Sequence, residues 1–288
     1  MSRASVLIAV PLLVATSFDA HTGIGRGSPA APAVAGLDHI PLAVADLERA
    51  AGAFRELGFA LKPGRPHANG IRNQHVKFPD GTELELITAP EARDPLTAKY
   101  RRHLLDGDGP AFLAIYAPSL DAAAAAMDAA RIPYERRAGF LGLPHDPVLN
   151  YVFLAGRNQS PTDRPEHFDH PNGAESLIGV WLAAEDLSAE RRLLTTLGAT
   201  FSDDLVWVPD AVRASVAHLA EGEVVFLPDS RQLARGRRIA GATIRVRNAA
   251  TARRLLGRHA VFPPDGSTSV FVRPASAHGI WLEFRAAR

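Results

Sequence analysis

The sequence predicts an α+β fold built from four successive strand-helix-strand-strand-strand (βαβββ) modules. Three observations predict it. The same order of elements recurs four times after Gly36, at intervals of roughly 50–70 residues. Leu-Gly closes three of the predicted helices, at Leu57-Gly58, Leu197-Gly198 and Leu256-Gly257, where glycine ends a helix at little steric cost. Finally, Gly81-Thr82-Glu83-Leu84-Glu85 matches Gly279-Ile280-Trp281-Leu282-Glu283 in spacing, and Asp46-Leu47 matches Asp186-Leu187.

Module one opens with an alternating, β-rich stretch, LDHIPLAV, which predicts a strand over 37–44. Asp46 is the N-cap of a helix over 47–57. A short strand over 59–62 and a loop rich in Gly, Pro and Asn follow. Strands over 73–78 and 83–87 flank the tight turn Pro79-Asp80-Gly81. Module two has a strand over 111–117, a Ser119-capped helix over 121–131, and strands within 133–137 and 149–155. In module three a strand over 177–183 precedes a helix over 187–197 and strands near 205–208, 212–218 and 223–227. Module four has a strand over 239–246, a helix over 249–256 and closing strands over 269–272 and 279–284.

Composition narrows the function. A chain of 288 residues suggests about two domains. Hydrophobic residues at 47% and charged residues at 22% argue against a disordered, collagenous or coiled-coil chain. Lys plus Arg (32) nearly balances Asp plus Glu (31), so no nucleic-acid partner is expected. Residues 231–258 contain nine arginines and no acid, which read as a solvated surface. The absence of cysteine excludes disulfides, thiolate metal sites and a cysteine nucleophile, while eleven histidines leave His/carboxylate metal chemistry open. The sequence carries no G-x-S-x-G, phosphate-binding loop, post-strand G-x-G-x-x-G or H-E-x-x-H motif.

Arg3, the apolar run from Ala4 to Ala15 and the polar stretch after it read as a signal peptide over 1–20, followed by a Gly/Ala/Pro tether over 21–35. Export to the periplasm or beyond is the expectation. The apolar run falls short of the ~20 residues of a membrane span, so no stable span is expected in the mature chain.

The β1 histidine of LDHIPLAVADLERA, its aspartate-capped helix, Leu-Gly, and a glutamate on the fourth strand, in DGTELELI, together resemble the vicinal-oxygen-chelate superfamily, which includes the glyoxalase-like proteins. Arg164–Ala174 (RPEHFDHPNGA) is similar to the R-P-E-x-x-x-H-x-N-G-A signature of one bacterial glyoxalase-like subgroup. The resemblance implies that paired modules form two cups, an N-terminal one over 36–174 and a degenerate one over 175–288 that scaffolds or dimerises as a homodimer. It implies that a cup often holds a divalent metal, gripped from the first and last strands of both modules. The reaction is left open, because the superfamily hosts isomerases, dioxygenases, epimerases, thiol transferases and non-catalytic drug binders.

His39 on the first strand and Glu85 on the fourth suit Zn²⁺, Fe²⁺, Mn²⁺ or Ni²⁺. Aligning helix starts places Phe112, Gly179 and Gly241 against His39, and only Glu283 repeats the Glu85 carboxylate. The ligand set is therefore incomplete. His75, sharing a strand face with Asn73, is the expected third ligand; His67, His167 and His170 are alternatives. Arg65 or Arg72 could clamp a substrate carboxylate or phosphate. Glu85, Arg72 and Asn73 are the expected catalytic residues, and Arg65, His67, Asn73, Asn158 and His167 the expected substrate contacts. Two functions follow: a metal-assisted lyase, isomerase or dioxygenase acting on a small oxygenated substrate, or a non-catalytic binder of a small-molecule ligand. In the second case His39 is a core residue and Glu85 is paired by Arg72 or Lys77.

Overall fold

The computed structural model describes residues 31–263 and 269–287; the expected signal peptide and residues 21–30 lie outside them. Module one is β1 (Gly36–Ala43), α1 (Leu47–Glu56), β2 (Lys62–Pro63), β3 (Arg72–Lys77) and β4 (Glu83–Thr88). A helix α2 (Pro95–Leu104) and a two-residue strand β5 (Gly109–Pro110) lead to module two: β6 (Leu113–Tyr116), α3 (Leu120–Ala129), β7 (Glu135–Arg137), β8 (Phe140–Gly142) and β9 (Val152–Ala155). Module three is β10 (Ala174–Ala183), α4 (Ser188–Thr196), β11 (Thr200–Trp207), β12 (Ala211–Leu219) and β13 (Gly222–Leu227). Module four is β14 (Ile239–Val246), α5 (Ala249–Leu256), β15 (Ala260–Val261), β16 (Val270–Val272) and β17 (Trp281–Ala286).

Modules one and two share one sheet, in the order β2-β3-β4-β1-β6-β9-β8-β7; modules three and four share another, in the order β11-β12-β13-β10-β14-β17-β16-β15. In each, the first strands of the two modules meet antiparallel at the centre, and each module's first and last strands pair parallel. The central registers agree residue by residue. Leu37↔Ile115 and His39↔Ala114 in the first sheet correspond to Leu177↔Ile244 and Gly179↔Thr243 in the second. The sheet equivalents of His39 in modules two and four are thus Ala114 and Thr243. They lie two residues from the Phe112 and Gly241 obtained by counting from helix starts.

Local chemistry sets the helix ends. Asp46, Ser119 and Asn248 accept backbone N–H groups from the first turns of α1, α3 and α5. Gly58 and Gly198 follow α1 and α4 at φ 80° and 97°, where a Cβ would be strained. The sequence reading missed α2, β8 and the two-residue strands β5 and β15. Yet α2 carries a complete start signal, with Asp94 and Thr97 capping each other reciprocally and Pro95 in the first turn.

Alternation along the strands separates two environments. One continuous core joins the helix-facing sides of both sheets, including Leu37, Leu84, Leu113 and Leu154 from the first and Leu177, Val224, Ile244 and Leu282 from the second. The opposite, concave faces carry separate clusters. The RPEHFDHPNGA segment stitches the halves together. His170 Nδ1 accepts from the Ala60 N–H at 3.0 Å and its Nε2 donates to the Lys77 carbonyl at 2.8 Å. Burial holds this imidazole below the usual histidine range, in the neutral form the pattern needs. Buried Asn172 donates to Leu57 O and accepts from Ala174 N. Both nitrogens of His170 are thus spent on backbone, which removes it as a metal ligand.

Candidate metal centre in the first cup

Strand parity decides what faces the first cup. On β4, Leu84 and Leu86 enter the shared core, so Glu83 and Glu85 face the cup. On β3, Gln74 bonds Arg55 and Glu48 of α1, so Asn73, His75 and Lys77 face the cup. Arg72 has the parity of Gln74 and is exposed; the structure does not bring it to the cluster.

His39, Glu83 and Glu85 each offer one ligand atom, and the three atoms lie within 4.8 Å of one another. His39 Nε2 is 3.9 Å from Glu85 Oε2. Its Nδ1 is 2.6 Å from Asp38 Oδ2, and Asp38 is buried. A carboxylate on one ring nitrogen fixes the ring and frees the other nitrogen for the cluster. Asn73 Nδ2 donates to Glu85 Oε1 at 2.6 Å. The close approach of Gly64 makes room for that amide: a Cβ there would stand 1.8 Å from Asn73 Oδ1. Glu83 Oε1 lies 3.3 Å from His75 Nδ1 and accepts from Asn158 Nδ2 at 3.1 Å. Its Oε2 is buried with no hydrogen-bond partner and lies 3.7 Å from Lys77 Nζ. Lys77 and Lys62 both pair with Asp163, from the segment after β9.

The electrostatics follow from this packing. Burial opposes charge on His39, but the Asp38 hydrogen bond and the charges of Glu83, Asp38 and Glu85 outweigh it and lift its pKa to about 9. Burial likewise opposes charge on Glu83, and there His75, His39 and Lys77 prevail and lower its pKa.

Module two supplies the apolar wall. Phe153 meets the His39 ring edge-on at 5.4 Å between centroids, and Phe140 stacks edge-on against Phe153. From α2, buried Tyr100 packs against Phe112, and Lys99 Nζ stands 4.5 Å from the Phe112 centroid. Burial lowers the Lys99 pKa to about 8; burial first, and then the Glu85 charge, push the Tyr100 phenol well up.

Of the expected site residues, the structure brings together His39, Glu85, Asn73, His75 and Asn158. His75 pairs with Glu83 rather than joining the three-atom cluster. His67, in the loop between β2 and β3, has a buried Nε2 without a partner, and Arg65 in the same loop is exposed. His167 closes a 3₁₀ turn, its Nδ1 accepting from Arg164 N, apart from the cluster. Sequence reasoning missed Asp38, Glu83, Lys62 and Asp163, and it offered Lys77 as a partner of Glu85, whereas Lys77 pairs with Glu83 and Asp163. Two signals were present: Glu83 and Glu85 stand at strand period, and the chain has only three lysines, 62, 77 and 99.

A family profile described as a glyoxalase-like domain matches residues 37–198. No curated protein matches the chain. Among solved structures, a hypothetical protein from Staphylococcus aureus aligns at TM-score 0.61 with 10% identity, over 88% of this chain and 100% of that one. A catechol 2,3-dioxygenase aligns at TM-score 0.60 with 16% identity, over 88% of each chain. A homoprotocatechuate 2,3-dioxygenase from Arthrobacter globiformis aligns at TM-score 0.61 with 13% identity, over 90% of this chain and 82% of that one. At such identities the likeness is one of fold: four βαβββ modules in two cups. With more than half of its length matched by the family profile and this architecture throughout, the chain belongs to the glyoxalase-like proteins of the vicinal-oxygen-chelate superfamily.

Proposed function

We propose that the first cup is the active site of a divalent-metal-dependent enzyme of lyase, isomerase or dioxygenase type, acting on a small oxygenated substrate. The observation that carries this reading is the convergence of His39, Glu83 and Glu85 within 4.8 Å, with His39 oriented from behind by Asp38. Two further features fit a cation. Glu83 Oε2 is buried without a hydrogen bond, a costly arrangement for a carboxylate oxygen that a metal would relieve. The carboxylates of Asp38, Glu83, Glu85 and Asp163 outnumber the ammoniums of Lys62 and Lys77, and a metal on His39 Nε2 would take the place of the proton that these carboxylates hold there. One imidazole and two carboxylates form a harder set than the two-histidine, one-carboxylate triad of non-haem iron oxygenases, so Mn²⁺, Fe²⁺ and Zn²⁺ are the first ions to test, with Ni²⁺ after them.

A bound metal would polarise a carbonyl or stabilise an enolate or alkoxide. The chain's own residues do the rest. Asn73 holds Glu85, and His75 and Asn158 hold Glu83. Phe153 and Phe140 keep one side of the cup apolar. The Tyr100 hydroxyl, lacking a protein hydrogen bond, donates to a substrate oxygen near Glu85. His67 faces substrate from the mouth loop.

The second reading, a non-catalytic small-molecule binder, draws on Lys77, whose ammonium 3.7 Å from Glu83 Oε2 competes with a cation for that oxygen. Elemental analysis of the protein after reconstitution with each ion separates the two. About one metal per chain, lost in the His39→Ala/Glu85→Ala double variant, supports the enzyme. A metal-free chain under all conditions sinks it and leaves the binder. Export of the chain, expected from residues 1–20, belongs to the same proposal; N-terminal sequencing of the secreted or periplasmic product tests it.

A further inference from the structure

The second cup repeats the first in topology but keeps only one carboxylate of its three-residue cluster. The shared register puts Gly179 where His39 stands. Val225, paired with Trp181, takes the place of Glu85, paired with Pro41. Val216, opposite Val225, takes that of His75, opposite Glu85. Glu223, paired with Gly179, stands where Glu83 stands beside His39, but Arg285 Nη2 donates to its Oε1 at 2.6 Å. The carboxylate of module four, Glu283, is buried and closed off: Thr243 Oγ1 donates to it at 2.8 Å and Ser269 Oγ at 2.7 Å. Thr243 in turn accepts the Trp181 indole N–H at 3.0 Å. Gly241 leaves the space the indole occupies, since a Cβ there would stand 2.1 Å from the ring.

Outside this plug a cavity of about 220 Å³ remains, walled by Trp181, Trp281, Val208, Pro209, Leu227 and Ala240. Its charged rim groups are spent on each other, Arg231 Nη1 lying 3.2 Å from Asp210 Oδ2. Gln232 donates to Ala183 O and accepts from Gly236 N. The exposed Ser230 hydroxyl has no hydrogen-bond partner among the described residues and leaves one polar contact at the rim. An apolar cavity of roughly 150 Å³ holds a benzene ring, so this one has room for a substituted or fused ring. A charge carried against the indoles would lose part of its hydration, and the cation at the rim, Arg231, is already held by Asp210.

We propose that the second cup binds a small, flat, uncharged aromatic molecule against the indoles of Trp181 and Trp281, with one polar substituent at Ser230. The site is independent of the metal reading of the first cup. All three tryptophans of the chain, at 181, 207 and 281, belong to this half, so intrinsic fluorescence reports on it alone. The probes are 4-nitrobenzyl alcohol, uncharged, and 4-nitrobenzoate, its anionic counterpart, both of which quench indole.

Saturable quenching by the alcohol is expected, with at least tenfold weaker binding of the anion, and the alcohol should raise the Tm. Ala240→Phe fills the cavity and should abolish both the saturable phase and the Tm shift. If that variant does not fold, Ala240→Leu takes its place, with at least a tenfold loss of affinity expected. Unsaturable quenching equal for both probes overturns the proposal. So does saturable quenching that survives in the folded cavity-filling variant.

Discussion

The two cups have the same strand order and the same central register, yet they solve opposite problems. The first gathers Lys62 and Lys77 around Asp38, Glu83, Glu85 and Asp163, with Lys99 over its apolar wall. These are all the lysines of the chain. The second gathers all its tryptophans: Trp181 in the floor, Trp207 and Trp281 packed against the same apolar cluster. One concave surface is kept polar and partly hydrated, with His39, His75 and Glu85 each 14% exposed. In the other, one buried indole fills the floor and the carboxylates are paired off, Glu223 with Arg285 and Glu283 with Thr243 and Ser269. A backbone cup of this kind prescribes neither outcome; the inward-facing residues of its central strands do.

The difference should be largest in metal binding. Glu83→Gln removes a ligand and leaves its buried amide against Lys77, so metal content should fall from about one per chain to near zero. Glu283→Gln, in the other cup, should leave metal content unchanged. Elemental analysis of the two variants side by side checks both.

Next comes stability. Trp181→Ala should cost about 3–5 kcal/mol in denaturant unfolding, the range for deleting a large buried aromatic. Phe153→Ala in the first cup should cost clearly less, because Phe153 is only partly buried. Equal losses would mean that both cups are packed cores and that the first has no working cavity.

A smaller effect tests how the first cup is held. Gly64→Ala drives a Cβ toward the Asn73 side chain and carbonyl, and Asn73→Ala removes the amide that fixes Glu85. Both should weaken metal affinity by about 10-fold, the lower end for a lost supporting contact, with the fold intact by circular dichroism. An unchanged affinity in Asn73→Ala would show that Glu85 needs no such support.

The smallest effect is a pH dependence of opposite sign in the two cups. Glu283 has its pKa raised, by burial first, against the pull of Arg285, Ser269 and Thr243. The folded chain keeps a proton that the unfolded chain releases above about pH 4.5. Stability from this group therefore falls as pH rises above that value, until the folded carboxyl itself ionises. Glu283→Gln does not titrate, so its Tm should gain on the parent as pH rises above about 4.5. For Glu83, whose pKa is lowered, the stabilisation in the metal-free protein is present above about pH 4.5 and lost as pH falls. A flat Tm difference for Glu283→Gln would mean that Glu283 is charged in the fold.

Much of this architecture could be read from local signals. Asp46, Ser119 and Asn248 cap helices, and Gly58 and Gly198 end them, because those side chains act on backbone within a few residues. Helix α2 escaped because it buries only Thr97 and Tyr100, too few for an apolar stripe, although its cap was complete. The site was half legible. His39, Glu85 and Asn73 followed from strand period and resemblance. Strand period also separates Arg72 from Asn73, and the structure puts them on opposite faces. Glu83 was passed over because the match between GTELE and GIWLE singles out the second glutamate. The pairing of β1 with β4 sets Glu83 beside His39.

Local patterning specified the four modules, their capped helices and the alternation of facing along the strands. Those properties depend on neighbours within about four residues. Only the tertiary structure decided that Glu83 completes the cluster, that Asp163 reaches back to Lys62 and Lys77, and that His170 is consumed by backbone. It also decided that an indole fills the floor of the second cup. Each of these joins residues 40 to 110 positions apart along the chain. No local pattern encodes such a contact, because the register of distant strands and the burial of the groups they carry are set together, when the sheets close.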